Sequence, residues 1–260
     1  MTIVPDAEPG SPTLAGLVTR GILDAELAAL VWLLVEGGVP LVVGGMDEAT
    51  RSEVARAVLG VDVARPSVLL DVEARPPTLE ELAALLLGGT AVGLSVAGTD
   101  LAGIIARLEA APSHLPDDAV RRLGTVLVLS SRPPGPRVVA AHYLRPTERD
   151  GGGHLQRRPP AVLATWDAEK DLFEHFAWGV TPELGDRVGR AQADLEDRQR
   201  ERAALLARAV ADGTVAPAAF GELVRDHLAS EPPRVPPPDR PPAAPSPFSG
   251  RLIDPEPHVH

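Results

Sequence analysis

Four short apolar runs, Val39–Val43, Ser67–Val72, Ala91–Val96 and Thr125–Leu129, alternate along the first half of this chain with segments whose apolar residues recur at helical spacing. Strands separated by helices of this length run parallel through right-handed crossovers. The pattern therefore predicts an α/β protein, a mostly parallel sheet with helices on both faces. Local signals set the boundaries. Asp24 stands as the N-cap of a helix running to Glu36, which Gly37 and Gly38 stop. Gly44 and Gly45 turn the chain into a helix over Glu48–Leu59, and Thr78 with Glu81 forms a capping box for Leu79–Leu87. Asp100–Ala110 reads as a further helix.

From Arg137 the pattern changes. Arg137–Leu144 and Ala161–Trp166 are strand-like runs separated by a stretch containing Gly151, Gly152 and Gly153, which predicts an antiparallel hairpin extending the sheet, with Asp171–Phe176 continuing it. Pro182–Ala211 and Pro217–Ala229 read as helices with a solvated, charged face. The tail carries eleven prolines from Pro232 to Pro257 and too little apolar surface to fold. The expected organisation is a flexible arm over 1–12, an α/β domain over 13–180, a helical region over 181–229 and a disordered proline-rich tail over 230–260. Trp32, Trp166, Phe173, Phe176 and Trp178 are expected as core anchors.

Composition narrows the function classes. With 36 acidic against 25 basic residues the net charge is -11, which repels a phosphate backbone, so nucleic acid is not an expected partner. The chain has no cysteine, and its histidines, among them His142, His154, His175, His258 and His260, show no ligand spacing, so no metal site is expected. The longest apolar run, Leu27–Val35, is about half the length of a membrane span, and a cytoplasmic location is expected.

The stretch Val39–Val58 has the layout of a phosphate site, a strand entering a glycine turn and then a helix N-terminus. A nucleotide loop asks for GxxxxGK followed by Ser or Thr. Counting from Gly44, that motif's second glycine is Ala49, its lysine Thr50 and its hydroxyl Arg51. Asp47 and Glu48 place negative charge where polyphosphate would lie. Gly44, Gly45, Thr50, Arg51 and Ser52 are the candidate nucleotide or anion contacts, with Arg51 in place of the missing lysine.

The segment Leu17–Leu59 resembles the entry to the core of the type II/type IV secretion and pilus-assembly ATPases, in which a similar helix and strand lead into the nucleotide loop. Pro66–Arg75 is similar to that family's RPDxIxxGExR, and the resemblance makes Glu73 the catalytic acid and gives Arg75 the arginine position. Gly89–Asp100 resembles the family's histidine-bearing segment, with Ser95 and Thr99 in register, but Gly98 or Ala97 stands where the histidine belongs. Asp167–Phe176 is close to the family's closing strand. The likeness spans roughly residues 14–180. It implies a P-loop NTPase-like fold that has lost its lysine, its histidine and part of the chain before Glu73. The expectation is a pseudo-ATPase acting through protein contacts, with secretion or pilus components as partners. No cofactor is expected, ATP and magnesium entering only if the loop still functions. The rival readings are an active or nucleotide-binding secretion ATPase and an adaptor presenting a proline-rich tail.

Overall fold

The computed structural model describes residues 2–3, 10–61, 65–131, 135–149 and 154–237. Gly151–Gly153, His258, His260 and the tail beyond Pro237 lie outside the described residues. In chain order the elements are β1 (Thr2–Ile3), α1 (Leu14–Thr19), α2 (Ala25–Glu36), β2 (Leu41–Gly45), α3 (Glu48–Leu59), β3 (Ser67–Asp71), α4 (Leu79–Leu87), β4 (Ala91–Ala97), α5 (Leu101–Glu109), α6 (Asp117–Arg122) and β5 (Thr125–Ser130). Then follow β6 (Arg137–Tyr143), β7 (Glu148–Arg149), β8 (Leu155–Gln156), β9 (Ala161–Asp167), β10 (Leu172–His175), α7 (Thr181–Val188), α8 (Gln192–Ala211) and α9 (Pro217–Ser230).

The main sheet has the order β1-β3-β4-β2-β5-β6-β9-β10. Strands β3, β4, β2 and β5 are parallel, and β6, β9 and β10 extend them antiparallel. The α/β class, the parallel centre and the hairpin extension thus stand as the pattern predicted. Alternation along β2 sorts the two cores: Leu41 and Val43 face a cluster with α1, α2, α3 and α7–α9, while Val42 faces one with α4, α5 and α6.

Helix α2 has Leu27–Val35 buried without a break, because α8 covers the side that α1, α3 and α7 leave free. A helix apolar all round belongs inside a protein or a membrane, and here tertiary packing supplies the interior. Among the described residues no helix is long and apolar enough to cross a membrane. Asp24 caps α2 by accepting from the Leu27 N–H at 2.9 Å, and Thr78 caps α4 by accepting from Glu81 N–H at 3.1 Å.

Several expectations are corrected. Within the arm, Thr2 and Ile3 pair with Leu69 and Val68 on the edge of β3. The helix read over Pro182–Ala211 is two helices, since Gly189 takes a left-handed φ of 67° that closes α7. Opposite their solvated face these helices bury Leu195, Leu205, Leu206, Phe220 and Val224 in the same core as α2. The tail is fastened at its start: Val235 C=O accepts from Ala191 N–H at 2.7 Å, and Glu231 lies against Arg190 and Arg202. Trp32 is fully buried as expected, but Trp178 is 79% exposed and Phe176 39%. Trp178 sits in a single 3-10 turn, Ala177–Gly179, too short to turn every side chain inward.

Candidate functional site

The chain leaves β2 through α3 over one face of the sheet and leaves β4 through α5 over the other, since Val54 and Val58 join one core and Ile104 and Leu108 the other. Neighbouring strands whose helices part to opposite faces leave a crevice at their carboxyl ends, where open α/β sheets bind ligands. Gly45, Glu73, Ala97 and Gly98 gather there, together with Arg51 from the first turn of α3.

Arg51 fills this crevice. Its side chain is 3% exposed. Nε donates to Ser95 Oγ at 2.9 Å, Nη1 to the Gly45 carbonyl at 2.8 Å, and Nη2 to Glu73 Oε2 at 3.3 Å. The rigid guanidinium fork matches three acceptors on three different elements, which an ammonium on a flexible stem would not do. Glu73 is positioned by a turn in which Asp71 Oδ1 accepts from the N–H groups of Glu73 and Ala74. Its other oxygen, Oε1, accepts from Ala97 N–H at 2.9 Å and pairs with Arg107 Nε at 3.5 Å. Both carboxylate oxygens are engaged. At an effective dielectric of about 20, unit charges at this range attract by roughly 4–5 kcal/mol, so turning Arg51 toward an outside anion forfeits that attraction first.

The turn itself differs from the expectation. Gly44 and Gly45 are strand residues, paired with Val96 and Ala97 of β4, and only Met46 and Asp47 separate β2 from α3. Two residues are too few to wrap phosphates as the GxxxxGK loop does. Gly44 is needed for packing instead, because a Cβ there would run into the Ile104 side chain, and one on Gly98 would lie 2.7 Å from Ile104 Cγ1. The helix N-terminus is occupied as well. The Asp47 carboxylate accepts from Thr50 N–H at 3.2 Å and from the Thr50 hydroxyl, and those bonds hold it below its ordinary value of 3.8. Thr50 therefore serves the cap.

The structure brings Gly45, Arg51 and Glu73 together and leaves two other candidates outside. Arg75 turns away to Glu81 at 3.0 Å, and Glu73 meets Arg51 and Arg107 instead. Ser52 lies on α3, half-buried, and makes none of the contacts that fix Arg51. Sequence reasoning missed Arg107 and the part played by Ser95; the one signal was Ser95 within a strand otherwise free of polar residues. Among the described residues no group of His, Asp or Glu side chains could hold a metal ion.

No protein-family model matches this chain, and no curated protein does.

Proposed function

We propose that this chain is a pseudo-ATPase, a module with the layout of a P-loop core that resembles the secretion and pilus-assembly ATPases in plan and works in the cytoplasm through protein contacts. One observation carries the reading: the cation at the switch point, Arg51, donates to Ser95, Gly45 and Glu73, and its side chain is only 3% exposed. Glu73, the residue in the position of the catalytic acid, is engaged on both oxygens, by Arg51 on one and by Arg107 and Ala97 N–H on the other, which favours a structural role over orienting a water. Exposed apolar side chains favour the protein-contact half of the reading. Leu82 alone is buried on α4, Leu79 and Leu87 being 49% and 89% exposed, and Trp178 stands out beside α7.

Isothermal titration of the full chain with ATP and magnesium tests the proposal. A flat titration up to millimolar nucleotide is the expected result, and micromolar binding would instead support the active-ATPase reading.

A further inference from the structure

A second charged centre lies where α8 packs on α2. Arg202 of α8 is fully buried, its guanidinium 4.4 Å from the ring centroid of Trp32, and the Arg190 side chain is 5% exposed. Glu36 and Asp194 face them: Arg202 Nη1 lies 2.6 Å from Glu36, and Arg190 reaches Glu36 at 3.1 Å and Asp194 at 2.8 Å. Arg198 also pairs with Asp194, at 3.7 Å. Burial pushes Glu36 up, but the charges of Arg202 and Arg190 outweigh it and hold the carboxyl below its ordinary range. Arg198 also pairs with Glu201, so three arginines face three carboxylates on the helices, and Nη2 of both Arg190 and Arg202 takes one carboxylate more.

The segment after α9 supplies it. Glu231 Oε1 accepts from Arg190 Nη2 at 3.0 Å and Oε2 from Arg202 Nη2 at 2.7 Å, and its side chain is 8% exposed. Pro232 to Pro236 lie exposed on the surface. Arg234 Nη1 donates to the Val188 carbonyl at 2.9 Å and Nη2 reaches Glu36 at 3.4 Å, while Val235 C=O accepts from Ala191 N–H. A sunken acid, two prolines that hold the backbone extended, a basic residue reaching the opposite charge and one main-chain bond are how a groove holds a bound peptide. A cavity of about 550 Å³, lined in part by Arg198, His227 and Pro232, opens beside Glu231.

We propose that the corner of α2, α7 and α8 is a binding site for a Glu-Pro-Pro-Arg peptide segment, filled in cis by residues 231–235. Its ligand class is an extended acidic diproline segment with a following arginine, and a partner carrying that chemistry competes with the chain's own copy. Glu231 caps α9 directly and so holds the cis segment in place, and the intact protein resists a micromolar competitor until the cis contact is weakened.

The test uses full-length protein and a fluorescent Glu-Pro-Pro-Arg-Val-Pro-Pro peptide. Glu231→Ala is expected to bind the peptide roughly tenfold or more tighter than the unmodified chain, through loss of cis competition. The same peptide with Gln for Glu is expected not to bind. If Glu231→Ala does not fold, Glu231→Gln keeps an acceptor for the arginines and is read in the same way, and Arg234→Ala loosens the segment without touching Arg190 or Arg202. Peptide affinity equal in the variants and the unmodified chain, no binding by any folded variant, or equal binding of the Gln peptide overturns the proposal.

Discussion

Arg51 and Glu73, 22 positions apart, meet at 3.3 Å across the carboxyl ends of β2, β3 and β4 and close the crevice that the strand order opens. The contact ties the first turn of α3 to the turn after β3. It is a structural lock at the strand ends where open α/β sheets bind ligands.

Arg51→Ala is expected to destabilise the fold by about 3 kcal/mol, because it takes from Glu73 its buried cation and from Ser95 its donor and leaves the Gly45 carbonyl only the longer bond from Gly98 N–H. Arg51→Lys keeps the charge but not the fork and should recover only part of the loss. Urea denaturation midpoints measure both. A change within experimental error for Arg51→Ala would mean that the three contacts contribute nothing in solution.

Restoring the motif residues should not restore nucleotide binding. A chain carrying Ala49→Gly, Thr50→Lys and Arg51→Thr, with Asp47→Asn and Glu48→Gln, still has Gly44 and Gly45 in the β ladder and two residues before the helix. Titration with ATP and magnesium should stay flat. Micromolar binding would show that the strand end unpairs and rebuilds a loop.

Gly44→Ala separates a packing role from a phosphate role. The new methyl would meet Ile104, and overpacking of this kind costs about 1–3 kcal/mol. Adding Ile104→Ala should make the second substitution less harmful than it is in the unmodified chain. Additive losses in this double-mutant cycle would argue against the steric account.

The tail divides at Glu231. Removing everything after Pro237 should leave the thermal midpoint unchanged, whereas ending the chain at Ala229 takes away the Glu231 carboxylate that accepts from Nη2 of both buried arginines, Arg190 and Arg202. A loss of about 3–5 kcal/mol is expected for that break. Equal midpoints for the two truncations would show that Glu231 adds little.

His175 makes stability depend on pH. Burial lowers the affinity of its ring for a proton, but the hydrogen bond to Asp24 at 2.8 Å and the charges of Asp24 and Glu26 outweigh this and raise it above 6.5. Its contribution is therefore complete below the unfolded-state value and fades as pH rises through the folded-state value. The difference in thermal midpoint between the unmodified chain and His175→Gln should be largest near about pH 5.5 and shrink toward about pH 9. A difference that grows with pH would reverse the sign.

The sequence by itself determined what depends on near neighbours. Strands β2 to β5 are read from apolar runs, the caps Asp24 and Thr78 from helix-start chemistry, and the β6–β9 pairing from two strand runs too close for a helical crossover. In each case the physical signal lies within a few residues of the element, or in the spacing of consecutive elements. It also placed Arg51 among the few residues worth watching, because a strand-turn-helix segment points its first helical turn at the carboxyl edge of a parallel sheet, whereas Glu73 is marked only by the family resemblance of Pro66–Arg75.

Tertiary structure decided which of those residues meet. Glu73 is two positions from Arg75 but pairs with Arg51 and Arg107, because the Asp71 turn aims its side chain at β2 and β4 and leaves Arg75 to Glu81. The partner of a carboxylate depends on strand order, and strand order is not written in local periodicity. The tail is the same case. Glu231 precedes two prolines in a segment whose composition cannot fold alone, yet it is held because α2, α7 and α8 bring Arg190 and Arg202 together with Nη2 of each donating to its carboxylate. Only the assembled corner presents both guanidinium groups to one acid.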